Sequence, residues 1–178
     1  MKDWGKTVII LAGISGSGKT ETGALLADEL GIPFSDLDKI VADTAGMSID
    51  EIFTLKGEAH FRNLESEKLG ELVTGEEGRV ISLGGGTLES DGIWDIIRIE
   101  TVTMIWLRVS PAEAARRLEA GGIVDDRPLL KSLREDKLAA KLDELLNRRQ
   151  HGYSRADIFI ETDGLNPVEV VSLICKKI

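Results

Sequence analysis

The residues Gly13-Ile14-Ser15-Gly16-Ser17-Gly18-Lys19-Thr20 place glycine, lysine and threonine at the spacing G-x-x-x-x-G-K-[ST]. Glycines let successive backbone N–H groups turn inward around a phosphate. A helix opening directly after them adds unpaired donors and the positive end of its dipole. Lys19, read as facing the solvent of a cleft, supplies a point charge to the outer phosphates, and the Thr20 hydroxyl suits the coordination sphere of Mg²⁺. The segment therefore reads as a nucleotide phosphate site made by Gly13, Ser15, Gly16, Ser17, Gly18, Lys19 and Thr20. It does not identify a second ligand.

Five further stretches carry groups able to do chemistry. Asp36-Leu37-Asp38 follows a short strand pattern, Ile32 to Phe34. Two acids one residue apart in an extended segment point to opposite sides, so one can face a metal and the other a second ligand. A helix cap at Asp38, opening Lys39 to Ala45, is an equal alternative. Arg62 and Glu65 are three apart and share a helix face, which taken alone reads as a surface ion pair. Gly84-Gly85-Gly86 ends the strand pattern Arg79 to Leu83. Ligands of open α/β sheets sit beyond the carboxyl ends of the strands, and three glycines there allow a ligand to touch backbone. Arg127, in Arg127-Pro128-Leu129-Leu130, follows a glycine-bearing stretch and suits a lid that closes over phosphates. Arg148-Arg149 lies near the end of the helical pattern Arg134 to Gln150, where plain complementation of the helix dipole is the simplest account. His151 reads as a solvated helix end.

Positioning these groups requires alternating strands and helices. Thr7 to Ala12 is an apolar run suited to a strand buried on both faces. Val102 to Val109 and Asp157 to Thr162 read as further strands. Lys19 to Leu30 has helical spacing and ends at Gly31. Ser48 with Glu51 forms a capping box, Glu58 to Leu72 a longer helix, and Ser110-Pro111 and Asn166-Pro167 open two more. This order predicts an α/β fold with a parallel sheet covered by helices on both faces. No repeat or linker divides the 178 residues, so one domain, 1–178, is expected. Ala120 to Leu129, with Gly121 and Gly122, reads as the mobile stretch. With 42% apolar and only 4% aromatic residues, the core should rest on Leu, Ile, Val and Ala. A net charge of −9 disfavours nucleic acid and anionic membrane as partners, and a site for anions must gather Lys and Arg against it. The one cysteine, Cys175, excludes an internal disulfide and reads as a small buried residue on the last helix. No segment reads as a signal or membrane span, which places the chain in the cytoplasm.

Together these stretches resemble the shikimate kinase family, in the family's order, from Val8 to about Ile160. The most distinctive part is Gly46-Met47-Ser48-Ile49-Asp50-Glu51-Ile52-Phe53, continuing through Gly57-Glu58 to Phe61-Arg62 and Glu65. The resemblance implies a P-loop kinase fold with a five-stranded parallel sheet, a substrate-binding segment at about 36–65, a mobile lid at about 120–130, and a monomer. It implies ATP and Mg²⁺, with transfer of the γ-phosphoryl group to the 3-hydroxyl of shikimate. Lys19 and Thr20 would then serve ATP and the metal, with Asp36 holding the metal, directly or through water. Asp38 would sit at the attacking hydroxyl, Arg62 and Arg149 would clamp the shikimate carboxylate, and Gly84, Gly85 and Gly86 would contact the ring. Arg127 would be the lid arginine, and Arg117 or Arg116 would lie near adenine. The sequence departs from the family at Ser15, where Met is frequent, and at His151-Gly152 before Tyr153, where Pro-Leu is usual. Its lid is longer by a few residues. The loop is also similar to that of gluconate kinases, so gluconate or another small molecule is the alternative acceptor. A nucleotide-binding regulatory module without catalysis is the alternative from another class.

Overall fold

The structure is a computed structural model that describes residues 4–90, 92–122 and 129–178. Five parallel strands, β1 (Val8–Ala12), β2 (Phe34–Asp36), β3 (Arg79–Ser82), β4 (Val102–Arg108) and β5 (Ile158–Glu161), form one sheet in the order β2-β3-β1-β4-β5. All of β1 is buried. Its alternate residues feed two cores, Val8, Ile10 and Ala12 on one face and Ile9 and Leu11 on the other. On the second face, α1 (Lys19–Leu30) and α8 (Pro167–Cys175) contribute Leu26, Ala27, Val170, Val171 and Ile174. The first face is covered by α2 (Leu37–Ala45), α3 (Ile49–Lys56), α4 (Glu58–Val73), α5 (Ile93–Ile97), α6 (Pro111–Ala120) and α7 (Glu135–Tyr153). These supply Val41, Ile52, Phe61, Leu69, Ile93, Leu118 and Leu142.

Local signals placed most helix ends correctly. Ser48 and Glu51 bond reciprocally, as do Asn166 and Glu169, and the Ser110 hydroxyl accepts from the Glu113 N–H. Pro111 and Pro167 each open a helix. The second strand, however, is Phe34–Asp36 rather than Ile32 to Phe34. Pro33 has no N–H to give a ladder, and the pairing begins at its carbonyl, which accepts from the Val80 N–H at 3.0 Å. The strand runs two residues further than expected and passes directly into α2, which starts at Leu37 rather than Lys39, so that Asp36, not Asp38, caps that helix. The 3-10 turn Thr87–Glu89 and α5 carry no clear pattern in the sequence. The core rests on Leu, Ile, Val and Ala as expected, with Phe61, Trp106 and Tyr153 as its buried aromatics, and Trp106 stacks on Tyr153 at 5.5 Å. Cys175 is exposed rather than buried.

Register aligns the strand ends. Leu11 lies level with Ser82 and with Ile105, and Asp36 lies level with Ser82. The loops after β1, β2 and β3 thus leave the sheet side by side. Helix α1 can approach β2 because residue 23 is glycine. A Cβ there would stand 2.5 Å from Cε2 of Phe34 and 3.3 Å from Leu11. Gly23→Val should overpack this contact and lower stability by about 1–3 kcal/mol, measured as a shift in the urea midpoint. An unchanged midpoint would show that α1 and β2 have room to separate.

Candidate active site

The first loop is shaped by positive φ at Gly13 (148°), Gly16 (84°) and Gly18 (87°). A side chain at Gly16 would lie 2.6 Å from the Ala114 carbonyl of α6, and one at Gly13 would lie 2.7 Å from the Leu107 carbonyl of β4. The loop is pressed against its neighbours and needs glycine there for space as well as for φ. Lys19 is buried rather than solvent-facing. Its Nζ donates to the carbonyls of Gly13 at 2.8 Å and Ile14 at 3.1 Å, folding the ammonium across the mouth of the loop. The Ser17 hydroxyl is buried in the loop without a hydrogen-bond partner.

At the start of α1 the Thr20 hydroxyl donates to Asp36 Oδ2 at 2.7 Å, while Asp36 Oδ1 accepts from the Lys39 N–H at 3.2 Å. One carboxylate thereby caps α2 and fixes an oxygen beside the phosphate loop. Asp38 turns the other way. Its Oδ1 lies 2.5 Å from where a Cβ on Gly84 would stand. The two acids do point in different directions, but they meet at the first turn of a helix rather than along an extended strand. Hydroxyl and carboxylate oxygens next to a phosphate cradle form a hard donor set that fits Mg²⁺, which takes one or two protein ligands and completes its shell with phosphate and water. Among the described residues no three His, Cys, Asp or Glu side chains gather to hold an ion by themselves.

The glycines after β3 bring the remaining groups together. A Cβ on Gly86 would lie 2.8 Å from Arg62 Nη2 and 3.0 Å from Arg149 Nη2, and one on Gly85 would lie 3.3 Å from Arg149 Nη1. Arg62 is therefore not a plain surface cation. It pairs with Glu65 at 2.7 Å and Glu58 at 3.4 Å, and Glu65 is buried and also accepts from the Thr87 hydroxyl at 2.6 Å. Burial pushes the Glu65 carboxyl above its ordinary range, against the opposing pull of Arg62 and Thr87. Arg149 is 6% exposed and bonds Glu89, so helix-end solvation does not describe it, whereas its neighbour Arg148 is 52% exposed. His151 is exposed, as the sequence suggested. Tyr153, the residue after Gly152, donates its hydroxyl to the Gly85 carbonyl at 2.5 Å, and burial raises its pKa. Thr87, Glu89 and Tyr153 were not singled out in the sequence.

Two cavities result. A cleft of about 940 Å³ is lined by the phosphate loop, Asp36, Asp38, Arg116 and Arg117. A smaller one of about 90 Å³ is lined by Arg62, Glu65, the three glycines and Arg149. Ser15 and Asp38 line both, so the cavities meet at those residues. Arg117 donates to Glu113 at 2.8 Å, to the Thr162 hydroxyl at 3.3 Å and to the carbonyls of Thr162 and Leu165. Arg116 is exposed and makes a two-point bond to Glu113. Arg127 and most of the expected lid lie outside the described residues.

Residues 15–178 match the family model described as shikimate kinase. The chain belongs to the shikimate kinase family. It is 43% identical over 162 residues to the shikimate kinase of Chlorobium limicola, covering 88% of this chain and 79% of that protein. The crystal structure of the shikimate kinase from Bacteroides thetaiotaomicron is similar with a TM-score of 0.87 at 30% identity, covering 96% of this chain and 97% of that one. Acinetobacter baumannii shikimate kinase in complex with shikimate is similar with a TM-score of 0.85 at 28% identity, covering 97% and 93% of the two chains.

In this shikimate kinase family chain the most strongly held surface acid is Glu113. Hydrogen bonds from Arg116, opposed by partial burial and joined by Arg117, lower its pKa to about 2. A lowered carboxyl contributes stability above its unfolded pKa and loses it as pH falls toward the folded value. The stability difference between the parent and Glu113→Gln should hold steady at neutral pH and shrink from about pH 4.5 toward pH 2. Thermal unfolding across that range tests it. A difference that does not change with pH would mean that the pair adds nothing in solution.

Proposed function

We propose that this chain transfers the γ-phosphoryl group of ATP to the 3-hydroxyl of shikimate, giving shikimate 3-phosphate and ADP. The observation that carries the reading is the meeting of the two cavities at Ser15 and Asp38, with the phosphate loop on one side and the paired arginines on the other. ATP lies in the larger cleft with its phosphates against the amides of Gly13 to Thr20. Shikimate occupies the smaller one, with its ring over Gly84, Gly85 and Gly86 and its carboxylate against Arg62 and Arg149, whose planar forks match a carboxylate.

Phosphoryl transfer through a loose transition state depends mainly on positioning and charge neutralisation. Lys19 must swing from its own loop carbonyls to the phosphate oxygens, one set of acceptors replacing another. Thr20 and Asp36 would hold Mg²⁺, which would supply positive charge to offset that of the phosphates. Asp38 orients the attacking hydroxyl and takes its proton late in the transfer. Arg127 serves as the lid arginine and Arg117 borders adenine. The chain works as one domain and as a monomer in the cytoplasm. Among the described residues no helix is long and apolar enough to cross a membrane.

The deciding experiment is ADP release in a coupled assay with shikimate, with gluconate and with neither. Shikimate-dependent release is expected. Turnover of gluconate alone would replace the acceptor, and no release with either would favour the regulatory module. Asp38→Asn should lower kcat about 10²–10⁴-fold while ATP still binds. Because Asp36 and not Asp38 caps α2, loss of a cap cannot account for such a fall. A rate within a few-fold of the parent would remove Asp38 from the chemistry. Arg62→Lys and Arg149→Lys keep charge and lose the fork, and each should weaken shikimate by about 1–3 kcal/mol with little change for ATP. Equal weakening of both substrates would place these arginines elsewhere in the mechanism.

A further inference from the structure

The proposed function leaves unexplained an acid and a base beside the clamp. Glu89 ends the 3-10 turn Thr87–Glu89 that follows the glycines, and Arg148 precedes Arg149 on α7. Neither lines the small cavity. Yet Glu89 Oε1 accepts from Nε of Arg149, and Glu89 Oε2 lies 2.9 Å from Nε of Arg148. The grip on Arg149 is therefore at Nε, the stem side of its guanidinium. The two terminal nitrogens lie along the glycines: Nη1 is 3.3 Å from a Cβ built on Gly85, and Nη2 is 3.0 Å from one built on Gly86, to which Glu89 Oε1 comes within 3.1 Å. Those are the nitrogens that a planar carboxylate engages with two parallel hydrogen bonds.

We propose that Glu89 is a positioning residue for the substrate carboxylate, holding Arg149 by Nε so that its two-nitrogen edge faces the cavity, while Arg148 offsets the charge of Glu89. The inference rests on the reading of Arg149 as a ligand of the shikimate carboxylate. The charge argument is simple. Glu89 with Arg149 alone makes a neutral pair that gives an incoming anion little attraction, and a carboxylate beside a carboxylate repels. Arg148, bonded to both oxygens of Glu89, restores a net positive charge to the group. Burial tends to push the Glu89 carboxyl up, but the bonds and charges of Arg149 and Arg148 outweigh it and hold it below the usual range, so it is ionised at neutral pH. The same turn reaches the other fork, because the Thr87 hydroxyl bonds Glu65 and Glu65 bonds Arg62. Three residues directly after Gly86 thus support both arginines.

The test is steady-state kinetics of the full chain with Glu89→Ala, Glu89→Gln, Arg148→Ala and Arg149→Ala, with melting temperatures alongside. Glu89→Ala should raise the KM for shikimate by about tenfold or more, the scale of a charged hydrogen bond, with the KM for ATP and kcat nearly unchanged. Glu89→Gln keeps an acceptor for Nε and should recover most of that loss. Arg148→Ala should raise the KM for shikimate and leave that for ATP alone. In an Arg149→Ala background, Glu89→Ala should add nothing, because its effect passes through Arg149. The inference is overturned if Glu89→Ala keeps its shikimate KM within about twofold of the parent, if it impairs ATP equally, or if its effect adds in full to that of Arg149→Ala. Should Glu89→Ala fail to fold, Glu89→Met, which fills the same space but offers Nε no acceptor, decides by the same split between the two substrates. If Arg149→Ala itself leaves the shikimate KM unchanged, the clamp reading fails and this inference with it, a result distinguishable from failure of Glu89 alone.

Discussion

Hydrogen bonding of β1 to β3 on one side and to β4 on the other sets the height at which three loops leave the sheet. Because β2 pairs with β3 in the register that puts Asp36 beside Ser82, the phosphate loop, the two acids and the three glycines emerge next to one another. A slip of one residue would turn every side chain of a strand to the opposite face. The burial of β1 on both faces makes that slip prohibitive, since it would exchange the residues of two packed cores. The catalytic geometry is therefore secured by apolar side chains that never touch a ligand.

What could be read from the sequence was what is encoded locally. The phosphate loop, the capping boxes at Ser48 and Asn166, and the fully buried run of β1 each declare themselves within a few residues. Their physics is short-ranged: φ at glycine, a cap bond three residues away, hydrophobicity of a strand. The path of Asp36 and Asp38 was half legible. Their opposed directions were right, but the start of α2 depended on where Pro33 allows pairing with β3, a fact of the neighbouring strand. The partners of Arg62 and Arg149 were illegible for the same reason. Glu89 lies 60 positions from Arg149, and Tyr153 lies 68 from Gly85. No window of sequence contains both members, so an arginine that reads as dipole complementation becomes a buried, acid-bonded side chain only when the chain is folded. The wider resemblance to shikimate kinases supplied those roles, and the fold supplied the contacts that make them physically sensible.

With an overall charge of −9, a site for anions must gather Lys and Arg, and the arginines gathered beside the three glycines are paired with acids. Arg62 is matched by Glu65 and Glu58, and Arg149 by Glu89. Each guanidinium is thereby kept in one orientation with donors left over, because five N–H groups exceed what one carboxylate can accept. An arginine without an acid beside it in so small a cavity would instead fold toward solvent or toward a nearby carbonyl. Partial neutralisation thus favours order, and the remaining donors define where an anion fits.

Helix α6 is tied at both ends to the turn beyond β5. The Ser110 N–H donates to Asp163 at its start, and Arg117 bonds the backbone of Thr162 and Leu165 near its end. Its middle touches the phosphate loop, where Ala114 leaves no space for a side chain at Gly16. Any pull exerted on the chain beyond Gly122 is therefore absorbed by the sheet edge before it reaches the loop. Helix α6 thus acts as a strut that carries the position of the β5 edge to the back of Gly16.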